Sequence, residues 1–427
     1  MAELTDGCAP AVILDLGPSG LEVCRALGRR GISVFGADRR LGIAARSRYC
    51  RASLAVDPRH CPEKARQSLI ELARAQTDRP VLMALSDEWL VFVSRNRAAL
   101  GEHYRLLLPP TEVVDSLTDK LRSYELARNH DVEVPKHDVV ESEEDLPRAA
   151  AHTGYPCVLK PTHSSDWAQP EARSAMGARK IACAHDARSL ALAYGQARPF
   201  AARHVLEELV PGPDTNHYYV VCYVDRSGEA RARFVHRKIL MRPPGRGIGC
   251  LIESVREEQL AKATSDFLRA VGHIGIAGLE FKKDARDGRW KLLDLNPRWG
   301  QGDSLAAICG PDMAWLYYRD SQGADLEDTD DYRPGVKWVQ LRSYLRSAVT
   351  ARRENGIGLV RSMLRLRGEL HHSVLAWDDL VPTVWTLGQL LAKRTPGRQR
   401  NPYPAPASEE KRERVPSEAD RSRSDGR

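Results

Sequence analysis

No stretch of the 427-residue chain approaches the roughly 18 consecutive apolar residues that a membrane-spanning helix requires. The start, MAELTDGCAP, lacks the basic and apolar regions of a secretion signal, so a cytoplasmic protein is expected. Cysteine pairing is missing too. Nine cysteines are scattered singly, with no CxxC, and the odd count argues against a complete intramolecular disulfide framework. They read as reduced, small apolar fillers. No internal repeat is present, and no aromatic-interleaved groove or nucleic-acid motif, which excludes nucleic acid as a partner. His217, His236, His371 and His372 match no metal-ligand spacing and read as surface or hydrogen-bonded histidines. An excess of charge is absent from most of the chain. Residues 1–340 hold equal numbers of basic and acidic side chains, so the net +7 belongs to the C-terminal end.

What is present is the composition of a globular protein, 42% hydrophobic and 28% charged, long enough for two or three domains. AVILDLGPSGLEVCRALGRRGISVFGADRR reads strand, glycine turn, amphipathic helix, strand, the opening of a parallel α/β domain over residues 1–110. GPSG, Gly17 to Gly20, lacks the third glycine of GxGxxG and serves better as a tight βα turn than as a dinucleotide site. VLMALSDEWLVFVSRNRAAL continues with a strand, a Ser-Asp helix start and a helix. A helical stretch, SLTDKLRSYELARNH, opens a compact α+β segment, residues 111–200, that contains GYPCVLKPTH. Residues 201–330 hold the strand HVLEELVPG, the hairpin HYYVVCYVDRSGEARARFVHRKIL, the helix EEQLAKATSDFLRAVG and a second hairpin. Residues 331–394 read as a basic helical extension and 395–427 as a disordered tail.

The second hairpin carries the chemistry. LEFKKDARDGRWKLLDLNPRWGQG reads as two strands joined by the turn DARDG. Centred on Asp287, that turn sets Glu280 directly opposite Asp294, with Asn296 on the same face as Asp294. Facing carboxylates repel unless a cation lies between them, and an adjacent amide oxygen completes a hard-oxygen set suited to Mg²⁺. Spacing alone fits equally a solvated hairpin face whose charges never meet. Lys160 ends the strand YPCVLKP, where a buried ammonium calls for an anion such as phosphate, and Lys120 pairs with it from the preceding helix. A strand running into Pro-Gly leaves backbone groups of Glu207, Glu208, Leu209 and Val210 free to read an adenine edge. Asp214, just beyond, is placed for ribose hydroxyls. Arg237, Lys238 and Arg246 either face the site, holding a substrate carboxylate or the γ-phosphate, or belong to a solvated basic hairpin.

This order of Lys, Lys, EExxxG, a Glu strand and a D-x-N-P-R strand resembles the ATP-grasp superfamily, and within it the bacterial carboxylate–amine ligases related to D-aspartate ligase. The resemblance spans roughly Ala11 to Asp320, and GLEF…LLDLNPR is its most specific motif. It implies an ATP-grasp fold of mixed α/β and α+β class, preceded by a Rossmann-like parallel α/β domain and followed by the basic helical extension. By resemblance, Lys120 and Lys160 hold ATP phosphates, Lys160 acting also in catalysis, and Glu207 to Val210 form the adenine hinge. Glu280, Asp294 and Asn296 ligate two Mg²⁺, with Mn²⁺ as a substitute, and Arg298 stabilises the acyl-phosphate and tetrahedral intermediates. The implied activity joins a small-molecule carboxylate to an amine, and relatives of this kind dimerise. A carboxylase- or kinase-like outcome and a degenerate nucleotide-binding module are the alternatives. Two departures stand out: Asp294 replaces the family's usual Glu, and the loop SSDWAQPEARSAMGARK, with Ser174 and Arg179 as candidate phosphate contacts, has only Gly177 where the family is glycine-rich. Ser304, in NPRWGQGDS, is a candidate contact to the acyl acceptor, and Trp299 reads as a packing residue. In the extension, Met363, Leu364 and Leu366 with Arg361, Arg365 and Arg367 suit either a weak peripheral membrane contact or, more simply, packing on the body.

Overall fold

The computed structural model describes residues 8–176, 181–245, 247–355 and 363–392. Gly177, Arg179, Arg246, Arg361 and the tail from residue 395 lie outside the described residues.

The expected parallel α/β domain is present. Its sheet runs β3 (Cys50–Ala55), β2 (Val34–Asp38), β1 (Ala11–Leu14), β4 (Val81–Ala84) and β5 (Arg105–Leu106), every pair parallel. A parallel sheet is covered on both faces, which is why the central strand AVIL is wholly apolar and fully buried. The turn after β1 is tight. Asp15 takes a positive φ of 95° and accepts a hydrogen bond from Gly17 N at 2.7 Å. A Cβ at Gly20 would stand 2.2 Å from the Asp15 carbonyl oxygen, so only glycine lets the helix Pro18–Gly28 start there. Ser86 caps the helix Asp87–Arg95 by accepting from Trp89 N.

The helical linker is broken at Asp119, whose carboxylate caps the helix Lys120–Asn129 through Leu121 N and Arg122 N, so that Lys120 stands in the first turn of that helix. Next comes an antiparallel sheet ordered β6 (His137–Val140), β9 (His204–Glu208), β7 (Cys157–Pro161), β8 (Ala182–Ala184). A boundary at residue 200 would sever β9 from it. The strand expected as the adenine hinge, β9, lies between β6 and β7 in this sheet, and the chain turns after it at Gly212, where φ is 128°.

The third sheet is ordered β14 (Trp290–Asn296), β13 (Gly275–Lys283), β10 (His217–Val224), β11 (Ala230–Arg242), β12 (Ile248–Ser254), β15 (Lys337–Val339), β16 (Leu370–His372). The last two strands correct the all-helical reading of residues 331–394. Lys337–Val339 pairs antiparallel with β12, buries Trp338 to 1% exposure and covers an edge that would otherwise be open. Helices Leu341–Asn355 and Val381–Ala392 complete the extension. Met363 and Leu364 are exposed, whereas Leu366 packs on the cluster of Leu240, Cys250, Leu251, Val339 and Tyr344, so the three do not form one apolar face. Asp379 is fully buried and ties the extension to the first domain through Arg25, Ser47 and Arg48.

The first and third sheets share a core. Ile13, Leu16 and Met83 lie in one cluster with Trp299, Leu305 and Tyr317. The Tyr317 hydroxyl lies 3.0 Å from Leu82 O and 2.8 Å from Leu107 O, which ties the helix Met313–Ser321 to the α/β domain.

Candidate active site

The hairpin of β13 and β14 brings Glu280 directly opposite Asp294, as the sequence spacing predicts. It does so by a different route. The turn is centred half a residue earlier, pairing Lys283 with Trp290, and a bulge at Leu293 restores the register. The bulge matters because Leu293 O then accepts from Lys160 Nζ at 3.2 Å and stands 2.8 Å from the Tyr124 hydroxyl.

Each candidate carboxylate holds a lysine. Lys120 Nζ lies 2.5 Å from Asp294 Oδ1 and 3.2 Å from Ser164 Oγ, and Lys238 Nζ lies 2.6 Å from Glu280 Oε1. Lys160 pairs with Glu207, whose other oxygen accepts from Tyr124 at 2.8 Å. Burial works against the charge on Lys120, but Asp294 outweighs it and raises the pKa. Burial likewise pushes the Glu280 carboxyl up, while Lys238 and His217 pull it back and hold it well below the usual carboxylate range. The site is therefore a set of desolvated ion pairs, poised to exchange partners when anions and cations arrive together.

Among the described residues no group of three or more His, Cys, Asp or Glu is arranged as a metal cage. Two facing carboxylates beside an amide oxygen fit a hard cation that draws its remaining ligands from phosphate and water. Asn296, opposite Gly278, has its Oδ1 held by Arg298 Nη2 at 2.9 Å. The strand stops at Asn296, because Pro297 has no N–H for the ladder, so Arg298 is not a further strand position. Its guanidinium reaches the same place and grips Asp87 of the first domain, Nε to Oδ1 at 2.8 Å and Nη2 to Oδ2 at 3.3 Å.

These groups line one cavity of about 460 Å³, whose wall includes Lys120, Lys160, Glu207 to Val210, Lys238, Glu280, Asp294, Asn296 and Arg298. Along the hinge, Glu208 N donates to Lys136 O and Leu209 N to Pro156 O, which leaves Val210 N donating to no described residue. The Glu208 side chain is fixed by Lys136 N and Arg286. Asp214 is the exception. It stands outside the cavity wall, its two oxygens accepting from Met241 N at 2.9 Å and Gly245 N at 2.7 Å, so it shapes the loop after β11. Arg237 points to Glu253, also away from the cavity. Trp299 is a core residue, as expected, donating to Glu22. Ser304 is not in the wall, whereas Gly300 and Gln301 of the same segment are. Ser174 is exposed.

Sequence reasoning missed three kinds of wall residue and one residue, Tyr124, that bonds a wall carboxylate without lining the cavity. Tyr124 faces Glu207, a contact no local pattern signals. Tyr219 and His236 stack at 5.2 Å, and both His236 ring nitrogens lack a partner among the described residues. Burial lowers the pKa of His236 to about 3, so it is neutral. Tyr219 fits because the strand beneath it carries Gly278; a Cβ there would stand 2.0 Å from the Tyr219 hydroxyl. Asp15 enters from the first domain, its pKa raised to about 7 by burial and by Asp38. Lys282, read only as part of a strand, also lines the cavity; its spacing two residues beyond Glu280 was the available signal.

No family model matches the chain. Its sequence is similar to D-aspartate ligase of Enterococcus faecium (strain Aus0004), 22% identical over 246 residues, 55% of this chain and 56% of that protein. It is also similar to D-alanine--D-alanine ligase of Stutzerimonas stutzeri (strain A1501), 26% identical over 49% of this chain and 65% of the relative. The matched part thus spans between half and two thirds of these relatives' own lengths. Among solved structures, an N5-carboxyaminoimidazole ribonucleotide synthetase in complex with ADP superposes with a TM-score of 0.62 at 16% identity, covering 81% of this chain and 86% of that one. The biotin carboxylase domain of Hydrogenobacter thermophilus 2-oxoglutarate carboxylase, in complex with MgADP, ADP and bicarbonate, superposes with a TM-score of 0.61 at 17% identity, covering 78% and 74%.

Proposed function

We propose, with the ATP-grasp fold of these neighbours as premise, that the chain is an ATP- and Mg²⁺-dependent carboxylate–amine ligase. The observation that carries the reading is the cavity itself, where phosphate-competent lysines, facing carboxylates and an arginine converge beside a hinge strand. In the reaction, a substrate carboxylate oxygen attacks the γ-phosphorus of ATP, releasing ADP and forming an acyl phosphate. An amine then attacks the acyl carbon, its proton is lost to solvent or a nearby base, and inorganic phosphate leaves.

The chain's own part is positioning and charge neutralisation. Lys120 and Lys160 give up Asp294 and Glu207 to hold phosphate oxygens, and Lys238 leaves Glu280 for the γ-phosphate or the acyl oxygen. Glu280, Asp294 and Asn296 would hold two Mg²⁺, or Mn²⁺ in their place, and the ions would supply charge neutralisation for the phosphates. Arg298, steadied by Asp87, faces the tetrahedral centre. The backbone of Glu207 to Val210 reads the adenine edge, Val210 N being its free donor. The partners are an amino-acid-like carboxylate and an amino-acid or amino-sugar amine. Among the described residues no helix is long and apolar enough to cross a membrane.

The test is ADP release from Mg-ATP against pooled carboxylic acids, amino acids and amines. Turnover requiring one acid and one amine is expected, and Asn296→Ala and Glu280→Gln should each abolish it. A rise in melting temperature with Mg-ADP and no turnover in any pool would overturn the ligase reading and leave a binding protein.

A further inference from the structure

Among the described residues four lysines line the cavity, and three of them hold a carboxylate: Lys120 with Asp294, Lys160 with Glu207, Lys238 with Glu280. The fourth, Lys282, is 4% exposed and makes no hydrogen bond or ion pair with any described residue. The acids around it are already engaged. Asp214 accepts from Met241 N and Gly245 N, Glu280 from Lys238 and His217, and Asp284 from Arg286. Asp214, Glu280 and Asp284 attract its charge without bonding it, so the ammonium keeps its hydrogen-bond donors for an anion that enters the cavity.

The strand says which anion. Glu280 and Lys282 share one face of β13, about 6.7 Å apart along the strand. Beyond Lys282 the chain meets the hinge: Asn216 Nδ2 donates to Lys283 O at 2.9 Å, and Ala285 N to Pro211 O at 3.3 Å. Lys282 thus stands between the base-reading hinge and the carboxylate assigned to the terminal phosphates. A nucleotide's base and ribose are neutral, so its one anion at that level is the α-phosphate.

Resting on the nucleotide reading above, we propose that Lys282 is a nucleotide-binding residue whose ammonium donates to the α-phosphate. The sequence motifs do not mark it, and it makes the affinity of this site depend on the phosphate chain as well as the base.

The experiment is calorimetric titration of the full chain with ADP and with adenosine, for the wild type, Lys282→Met, Lys282→Gln and Lys282→Arg. Loss of a buried charge-assisted hydrogen bond should weaken ADP by ~10-fold or more in the Met and Gln variants. Adenosine binding should stay within about twofold, and Arg should restore most of the ADP affinity. Unchanged ADP affinity in the variants, or an equal loss for adenosine and ADP, would overturn the assignment. Failure of the wild type to bind ADP would instead reject the nucleotide reading itself. Lys282→Gln keeps the test standing if the Met variant does not fold.

Discussion

Replacing Asp379 by alanine should destabilise the chain far more than the same change at its neighbour Asp378, although both carboxylates grip an arginine of the first helix. Asp379 accepts from Arg25 Nε at 2.9 Å, Ser47 Oγ at 2.7 Å and Arg48 N at 3.0 Å, and the side chains of the ion pair are 7% and 0% exposed. Removing it leaves the Arg25 charge desolvated, with only the backbone oxygen of residue 379 at 3.0 Å. Breaking such a buried pair typically costs about 3–5 kcal/mol. Asp378 holds Arg29 through two bonds, at 2.7 and 2.9 Å, and accepts from the Tyr49 hydroxyl at 2.8 Å. These contacts pull its carboxyl well below the usual range, Arg29 foremost. The pair is nevertheless 47% and 41% exposed, and a solvent-screened pair is worth about 0–1 kcal/mol, so the pKa shift overstates its weight. Urea unfolding followed by circular dichroism gives the two costs. Hydrogen exchange at Arg48 and Tyr49 should locate the Asp379 effect at the docking loop. Equal small losses for both variants would refute the argument.

Three further outcomes follow from the site and its supports. Burial and Asp303 raise the Glu22 pKa from 4.5 to about 8, so the folded state keeps a proton that the unfolded chain loses. Its contribution is whole below pH 4.5 and is lost as pH rises toward 8. Glu22→Gln should therefore gain on the wild type by roughly 1.4 kcal/mol per pH unit across that window, in urea melts at several pH values, and a constant difference would refute the shift. Gly278→Ala places a Cβ 2.0 Å from the Tyr219 hydroxyl and should cost about 1–3 kcal/mol; an unchanged urea midpoint would mean the ring is not confined. Arg298→Lys cannot span Asp87 and Asn296 together, so kcat for ADP release should fall by at least ~10-fold while calorimetric ADP affinity stays within about twofold, and wild-type kcat would deny Arg298 its role.

Much of this was legible along the chain, and for one reason: it depends on period and punctuation. Side chains alternate along a strand, and DARDG marks a turn, so the facing of Glu280 and Asp294 could be counted from the letters. The parallel opening of the first domain and the helical character of the segment that holds Lys120 follow from the same local signals, whereas the break at Asp119 does not. The bulge at Leu293 did not, because an extra residue in one strand leaves no trace in an apolar run. Nor did the placement of β9, which a boundary drawn by composition assigns to the wrong sheet, or the strand pairing of Lys337–Val339, three residues whose partner lies some eighty positions earlier.

By itself the sequence determined the class of the elements, the order of the chemistry-bearing residues and the faces they share within one hairpin. The tertiary structure alone decided which of them meet. Arg298 and Asp87 are 211 positions apart and bind because two sheets share a core. Asp214, adjacent to the hinge in sequence, is turned to a loop backbone instead. Lys282 differs from its three cavity neighbours in bonding no carboxylate among the described residues, a property of packing that no spacing encodes. Local periodicity reports which way a side chain faces on its own element; the partner it finds depends on which apolar surfaces close over it.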